Sequence, residues 1–202
     1  MASQLGRMRR LDDVRRYAAM TQLDPIQDEP FPMQQGGGSF LACMGTALIF
    51  GAFSPRYVFI ALGCGMAIGL LAIVSVRISW WQAGGARPSA LQVWMLIAAI
   101  ALEFVLFATV FPHVPDDMRL RWVVALAIVA VHFLPMAWTY GPPIVLLALS
   151  GMVWLAAAFW LPAIPLGVVI GIDGALKLFF GLVMMTQNFA RPPLWPLKGP
   201  AA

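Results

Sequence analysis

The stretch "GVVIGIDGALKLFFGLVMM", Gly167 to Met185, decides how this chain is read. It approaches the length a membrane-crossing helix requires, about 20 mostly apolar residues. Yet it carries Asp173 and Lys177, an acid and a base one helical turn apart. Gly167, Gly174 and Gly181 recur every seven residues, and Gly171 lies four after the first. Helices in lipid gain little from apolar contact alone, so a smooth stripe of small residues is the natural seat for a neighbouring helix. Lys177, three residues after Gly174 and four before Gly181, is expected on that stripe, with Asp173 at its edge. Both side chains should therefore face a bundle and not lipid.

The rest of the chain agrees with that environment. Of 202 residues, 61% are hydrophobic and 11% charged, and the mean hydropathy is +0.82. A soluble domain carries roughly a quarter charged residues, so too few are present to cover a water-facing surface. Six apolar runs are expected to span: 38–54, 57–76, 91–111, 122–139, 143–161 and 164–186. The fold class is an all-α integral membrane protein, one six-helix bundle over 38–190. Ser39 is expected to cap the first span after a hinge at Gly36, Gly37 and Gly38. The tight "SPRY" connection makes spans one and two a helical hairpin. In "LPAIP", Pro162 stops span five and Pro165 suits the first turn of span six. Gly65 and Gly69 form a second small-residue pair, packing either within the chain or against another copy.

An even number of spans puts both termini on one side. Arg7, Arg9, Arg10, Arg15, Arg16, Arg77, Arg87, Arg191 and Lys198 gather there, whereas Arg56, Arg119 and Arg121 fall opposite. By the positive-inside rule, nine against three makes both termini cytoplasmic. The net charge of +4 then reflects membrane orientation and not a nucleic-acid partner. Residues 1–37 read as a basic tail and linker, with three prolines and three glycines in "TQLDPIQDEPFPMQQGGG". Leu5, Met8, Leu11, Val14 and Ala18 have helical spacing there, which suits either an amphipathic helix on an anionic leaflet or a solvated orienting tail. No cleavable signal peptide is expected, and 191–202 form a C-terminal cytoplasmic tail. Arginine outnumbers lysine, which is compatible with a bacterial plasma membrane as the location.

Two further spans carry ionisable groups, Glu103 and His132. At a rise of about 1.5 Å per residue, Glu103 and Asp173 fall about 3–5 Å to the outer side of the midplane. His132 and Lys177 fall about 2 Å to the inner side by the same rise. A charge at a helix centre costs about 2.5–3.5 kcal/mol and is tolerated chiefly when paired or facing water. Asp173 and Lys177 have the acid-first i,i+4 spacing that lets them pair within one helix. Glu103 is then left over: it must be protonated, paired with a protonated His132, or serve as a cation or substrate site. Pro135, three residues after His132, frees a backbone carbonyl and shapes the helix beside it.

Other chemistry is weaker. Ser150 in "LALSGMVW" lacks a G-x-S-G setting and reads as a packing residue bonded to a preceding carbonyl. His113, Asp116 and Asp117 lack strict metal-ligand spacing. Cys43 and Cys64 form no CxxC pair and are expected as small buried packing residues. No nucleotide motif is visible, and no cofactor, metal or catalytic role is expected. The expectation is a small membrane protein whose interior site of Glu103, His132, Asp173 and Lys177 moves a proton or small solute. The competing expectation is an accessory or scaffold protein whose buried charges specify packing. The partners expected for the chain are the lipid bilayer, a proton or small solute, and a second copy or another membrane protein.

Overall fold

In hydrocarbon every backbone amide must find its partner inside the protein, and a helix does this within one segment. The computed structural model describes residues 31–53, 57–82 and 88–186, and all the regular structure among them is helical. The helices are α1 (Gln34–Phe53), α2 (Val58–Gln82), α3 (Ala90–Thr109), α4 (Met118–Tyr140), α5 (Pro142–Trp160) and α6 (Leu166–Thr186). A 3-10 turn, Phe111–His113, follows α3. All six are long and apolar enough to cross a membrane. The basic N-terminal segment, most of the proline-rich linker, Arg56, Arg87 and the C-terminal tail lie outside the described residues. We call the side where α1 begins and α6 ends the terminal side, and the other the far side.

Local chemistry sets several helix ends. Ser89 and Gln92 form a reciprocal capping box at the start of α3. Asp117 caps α4 by accepting from the Leu120 amide at 2.7 Å. Between α4 and α5 stands one residue, Gly141, at φ +85° with Pro142 directly after it. That backbone favours glycine, and a Cβ there would also come within 2.9 Å of the Phe31 ring. Pro135 is accommodated inside a continuous α4.

The first span begins earlier than its sequence suggests. Gly36, Gly37 and Gly38 are helical residues of α1 and not a hinge, and Phe31 just before them is 1% exposed. Ser39 caps nothing; its hydroxyl donates back to the Gln35 carbonyl at 2.9 Å. Glycine in a helix costs about 1 kcal/mol relative to alanine, and tertiary packing repays it. α1 and α6 run antiparallel with Gly38 opposite Gly181, Gly45 opposite Gly174, and Ala52 opposite Gly167. A Cβ on Gly45 would lie 2.5 Å from the Gly174 carbonyl oxygen, and one on Gly38 2.7 Å from that of Gly181. Two seven-residue recurrences, 38-45-52 and 167-174-181, thus meet backbone to backbone.

α2 packs on α1, with Gly65 against Cys43 and Ala47 and Gly69 against Phe40. α4 packs against α5 and α3, and α5 against α6 joins the two halves. One core cluster, including Leu41, Phe133, Tyr140, Ile144 and Met184, fills the terminal half of the bundle. A second, including Leu48, Leu126, Leu155 and Ile170, fills the far half. α2 and α3 are peripheral, with most of their surface facing outward.

Candidate functional site

The glycine face of α6 is occupied by α1, which leaves the neighbouring face for its charges. Asp173 and Lys177 are 2% and 4% exposed. The Lys177 ammonium donates to Asp173 Oδ2 and lies 6.0 Å from the centroid of the Phe133 ring on α4. The pair therefore looks toward α4 and not along the glycine stripe, because a step of three residues turns the chain about 60° short of a full turn. An ammonium in a dry interior gains from the carboxylate and also from the ring face.

His132, next to Phe133 in sequence, points from α4 toward α3. Its Nε2 lies 3.5 Å from Glu103 Oε2, and its ring packs on Phe133 at 4.4 Å between centroids. Nδ1 makes no hydrogen bond of good geometry. The imidazole is 7% exposed and the Glu103 side chain 30%. The four ionisable residues are thus brought together as two pairs, on either side of Phe133. One is sealed in the bundle; the other opens on its flank. Among the described residues no hydrogen bond or ion pair joins the two pairs.

Several polar contacts went unread in the sequence. Gln92 Nε2 donates to the Trp138 carbonyl at 3.3 Å, and Thr139 Oγ1 donates to the Gln92 carbonyl at 2.8 Å. These fasten α3 to α4 at the terminal side. The signal was present as "SALQ", residues 89–92, a capping-box spelling before an apolar run. Gln34 Nε2 donates to the Met184 carbonyl at 3.2 Å, joining α1 to α6. On the far side the Arg119 guanidinium donates to the carbonyls of Ala158 (2.6 Å), Leu161 (3.1 Å) and Ile164. It satisfies the orphan acceptors that end α5.

The residues set aside as chemistry have other partners. The Ser150 hydroxyl donates to the Leu146 carbonyl at 2.7 Å. Asp116 pairs with Arg121 at 2.7 Å, Asp117 caps α4, and His113 is exposed in the 3-10 turn. Among the described residues no cluster of three His, Cys, Asp or Glu side chains could hold a metal ion. Cys43 and Cys64 differ from the buried packing residues expected. Cys43 is half-buried and Cys64 exposed, and both line an apolar groove of about 490 Å³ between α1 and α2. Gly65, also lining this groove, lets α2 approach α1 closely beside Cys43 and Ala47.

Six apolar helices enclosing a sealed ion pair define a multi-pass helical membrane protein. The chain belongs to a family of unknown function (DUF6609), whose profile matches residues 26–191. No curated protein and no solved structure matches it.

Proposed function

We propose that this protein moves a proton or a small solute across a bacterial plasma membrane, with Glu103 as the proton- or cation-binding carboxylate and His132 as its partner. The observation that carries this reading is the Glu103–His132 contact of 3.5 Å near the middle of the α3 span. An intramembrane carboxyl is costly and marks ion pathways when it is not consumed by structure. Asp173 already has Lys177 as its base, so Glu103 is the acid left for exchange. The His132 imidazole stands directly opposite that carboxyl, with Nε2 placed to share its proton. The arginine asymmetry supports cytoplasmic termini. No catalytic step, cofactor or nucleic acid belongs to this reading; its partners are the bilayer and the translocated species.

The test is proton flux in liposomes carrying the purified chain and an internal pH dye. Wild type should dissipate an imposed pH gradient faster than empty liposomes, and Glu103→Gln should remove that increment while keeping its thermal midpoint. Equal flux in the two proteins would overturn the proposal. A second reading, an accessory or scaffold protein, is favoured by one observation: Asp173 and Lys177 are sealed and share one helix. Buried polar pairs can serve to specify packing.

A further inference from the structure

Glu103 is the one ionisable group of the four with substantial exposure, and its surroundings decide what can reach it. α3 rests chiefly on α4. Beside Glu103 on the open flank stand Ile100, 42% exposed, and Phe104, 72% exposed. One turn further, Phe107 stacks toward Phe111 with centroids 5.6 Å apart. This flank belongs to a segment apolar enough to lie in hydrocarbon. The inward approach is closed by His132 and Phe133, both buried, and behind Phe133 stands the Lys177 ammonium paired with Asp173. A cation arriving along the bundle axis would meet a like charge and a packed ring.

From this arrangement we infer that Glu103 is reached sideways from the bilayer, and that the species competing with the proton there is a lipophilic organic cation. The inference rests on the reading of Glu103 as the exchangeable carboxylate and names the substrate class for it. A small inorganic cation would have to shed its hydration in hydrocarbon, at a cost that one carboxylate does not offset. A cation whose charge is spread over an apolar body carries little hydration to lose. Aromatic rings such as Phe104 and Phe107 add attraction to its charge through their faces. The titratable group facing Glu103 is His132 of α4, with Lys177 and Asp173 of α6 beyond Phe133. Proton and cation should therefore exclude each other mainly at a single carboxyl.

The experiment uses the full chain in liposomes and two carbodiimides that attack protonated carboxyls, one hydrophobic (dicyclohexylcarbodiimide) and one water-soluble. Peptide mass spectrometry locates the adduct. The hydrophobic reagent should modify Glu103 and the water-soluble one should not. Tetraphenylphosphonium should protect Glu103, whereas sodium and tetramethylammonium at the same concentration should not. Tetraphenylphosphonium binding should weaken by up to about tenfold per pH unit as the carboxyl takes up its proton, by reciprocity of the two ligands. Binding should vanish in Glu103→Gln and persist in Glu103→Asp. Equal labelling by the water-soluble reagent, no labelling by the hydrophobic one, or no protection by tetraphenylphosphonium overturns the inference. Because the wild-type arms need no variant, a misfolded mutant leaves the test intact. Loss of flux in Glu103→Gln without tetraphenylphosphonium protection would sink this inference alone. Protection without any proton flux would retain the cation site and sink the translocation reading.

Discussion

Helices α1 and α6 on one side, and α3 and α4 on the other, each put an acid near a base among apolar helices. The first assembly is closed. Glycine lets the two backbones touch, and on the adjoining face of α6, toward α4, Asp173 and Lys177 are sealed at 2% and 4% exposure. The second is open along its flank. α3 carries large apolar side chains outward, is tied to α4 by Gln92 and Thr139, and leaves the Glu103 side chain 30% exposed beside His132. The same residue types therefore do different work according to how the helices around them close. A sealed pair within one helix neutralises itself; in the proposed function, the open pair across two helices is the one that exchanges what it holds.

The contrast can be broken first at the sealed pair. Removing one partner of a buried ion pair leaves an uncompensated charge, so Lys177→Met alone should lower stability by about 3–5 kcal/mol. Asp173→Asn should cost similarly, and the double variant should recover most of the loss, as a double-mutant cycle of thermal or denaturant unfolding in detergent would show. Additive losses would mean that the two charges are not one unit. The same cycle on Glu103→Gln and His132→Gln should give a coupling near 0.6 kcal/mol, roughly the average for interhelical polar pairs in membranes. A coupling as large as that of the sealed pair would erase the distinction drawn here.

The next largest effect lies in the glycines. Gly45→Ala forces a carbon against the Gly174 carbonyl and should destabilise by about 1–3 kcal/mol. Gly63, whose added Cβ would meet nothing within 4 Å, should tolerate alanine within about 0.5 kcal/mol. Similar midpoints for the two variants would show that α1 and α6 do not approach as described. At the open pair of helices, Gln92→Ala removes a cap and an interhelical hydrogen bond and should cost about 1–2 kcal/mol. Amide exchange should rise in α3 and leave α6 unchanged. A smaller stability effect than that of Gln92→Ala, under about 1 kcal/mol, is expected for Glu103→Gln, which should nevertheless remove proton flux.

Much of the fold was legible because lipid is a demanding solvent. Six spans were readable from run length alone, and the interior of α6 was readable from its seven-residue glycine recurrence. The start of α1 was misread because three consecutive glycines signal a hinge when their cost is judged locally. The matching recurrence of Gly38, Gly45 and Ala52 becomes visible only once those glycines are taken as helix. The pairing of Asp173 with Lys177 followed from i,i+4 spacing. The direction in which that pair faces did not, since Phe133 lies on a different helix. Arg119 counted in the sequence only as a charge for orientation, whereas its three carbonyl partners come from the end of α5 and the turn after it.

By itself, the sequence determined that six segments are long and apolar enough to cross a membrane as helices, and that Asp173 and Lys177 can pair within one of them. Hydrophobic run length and a fixed rise per residue are local properties, and hydrocarbon tolerates few alternatives to a helix. Only the tertiary structure decided which helices are neighbours, which side of each faces inward, and hence that one ion pair is sealed while the other lies open. Rotation about a helix axis is set by contacts with other helices, and in lipid those contacts depend on close packing between residues far apart in the chain.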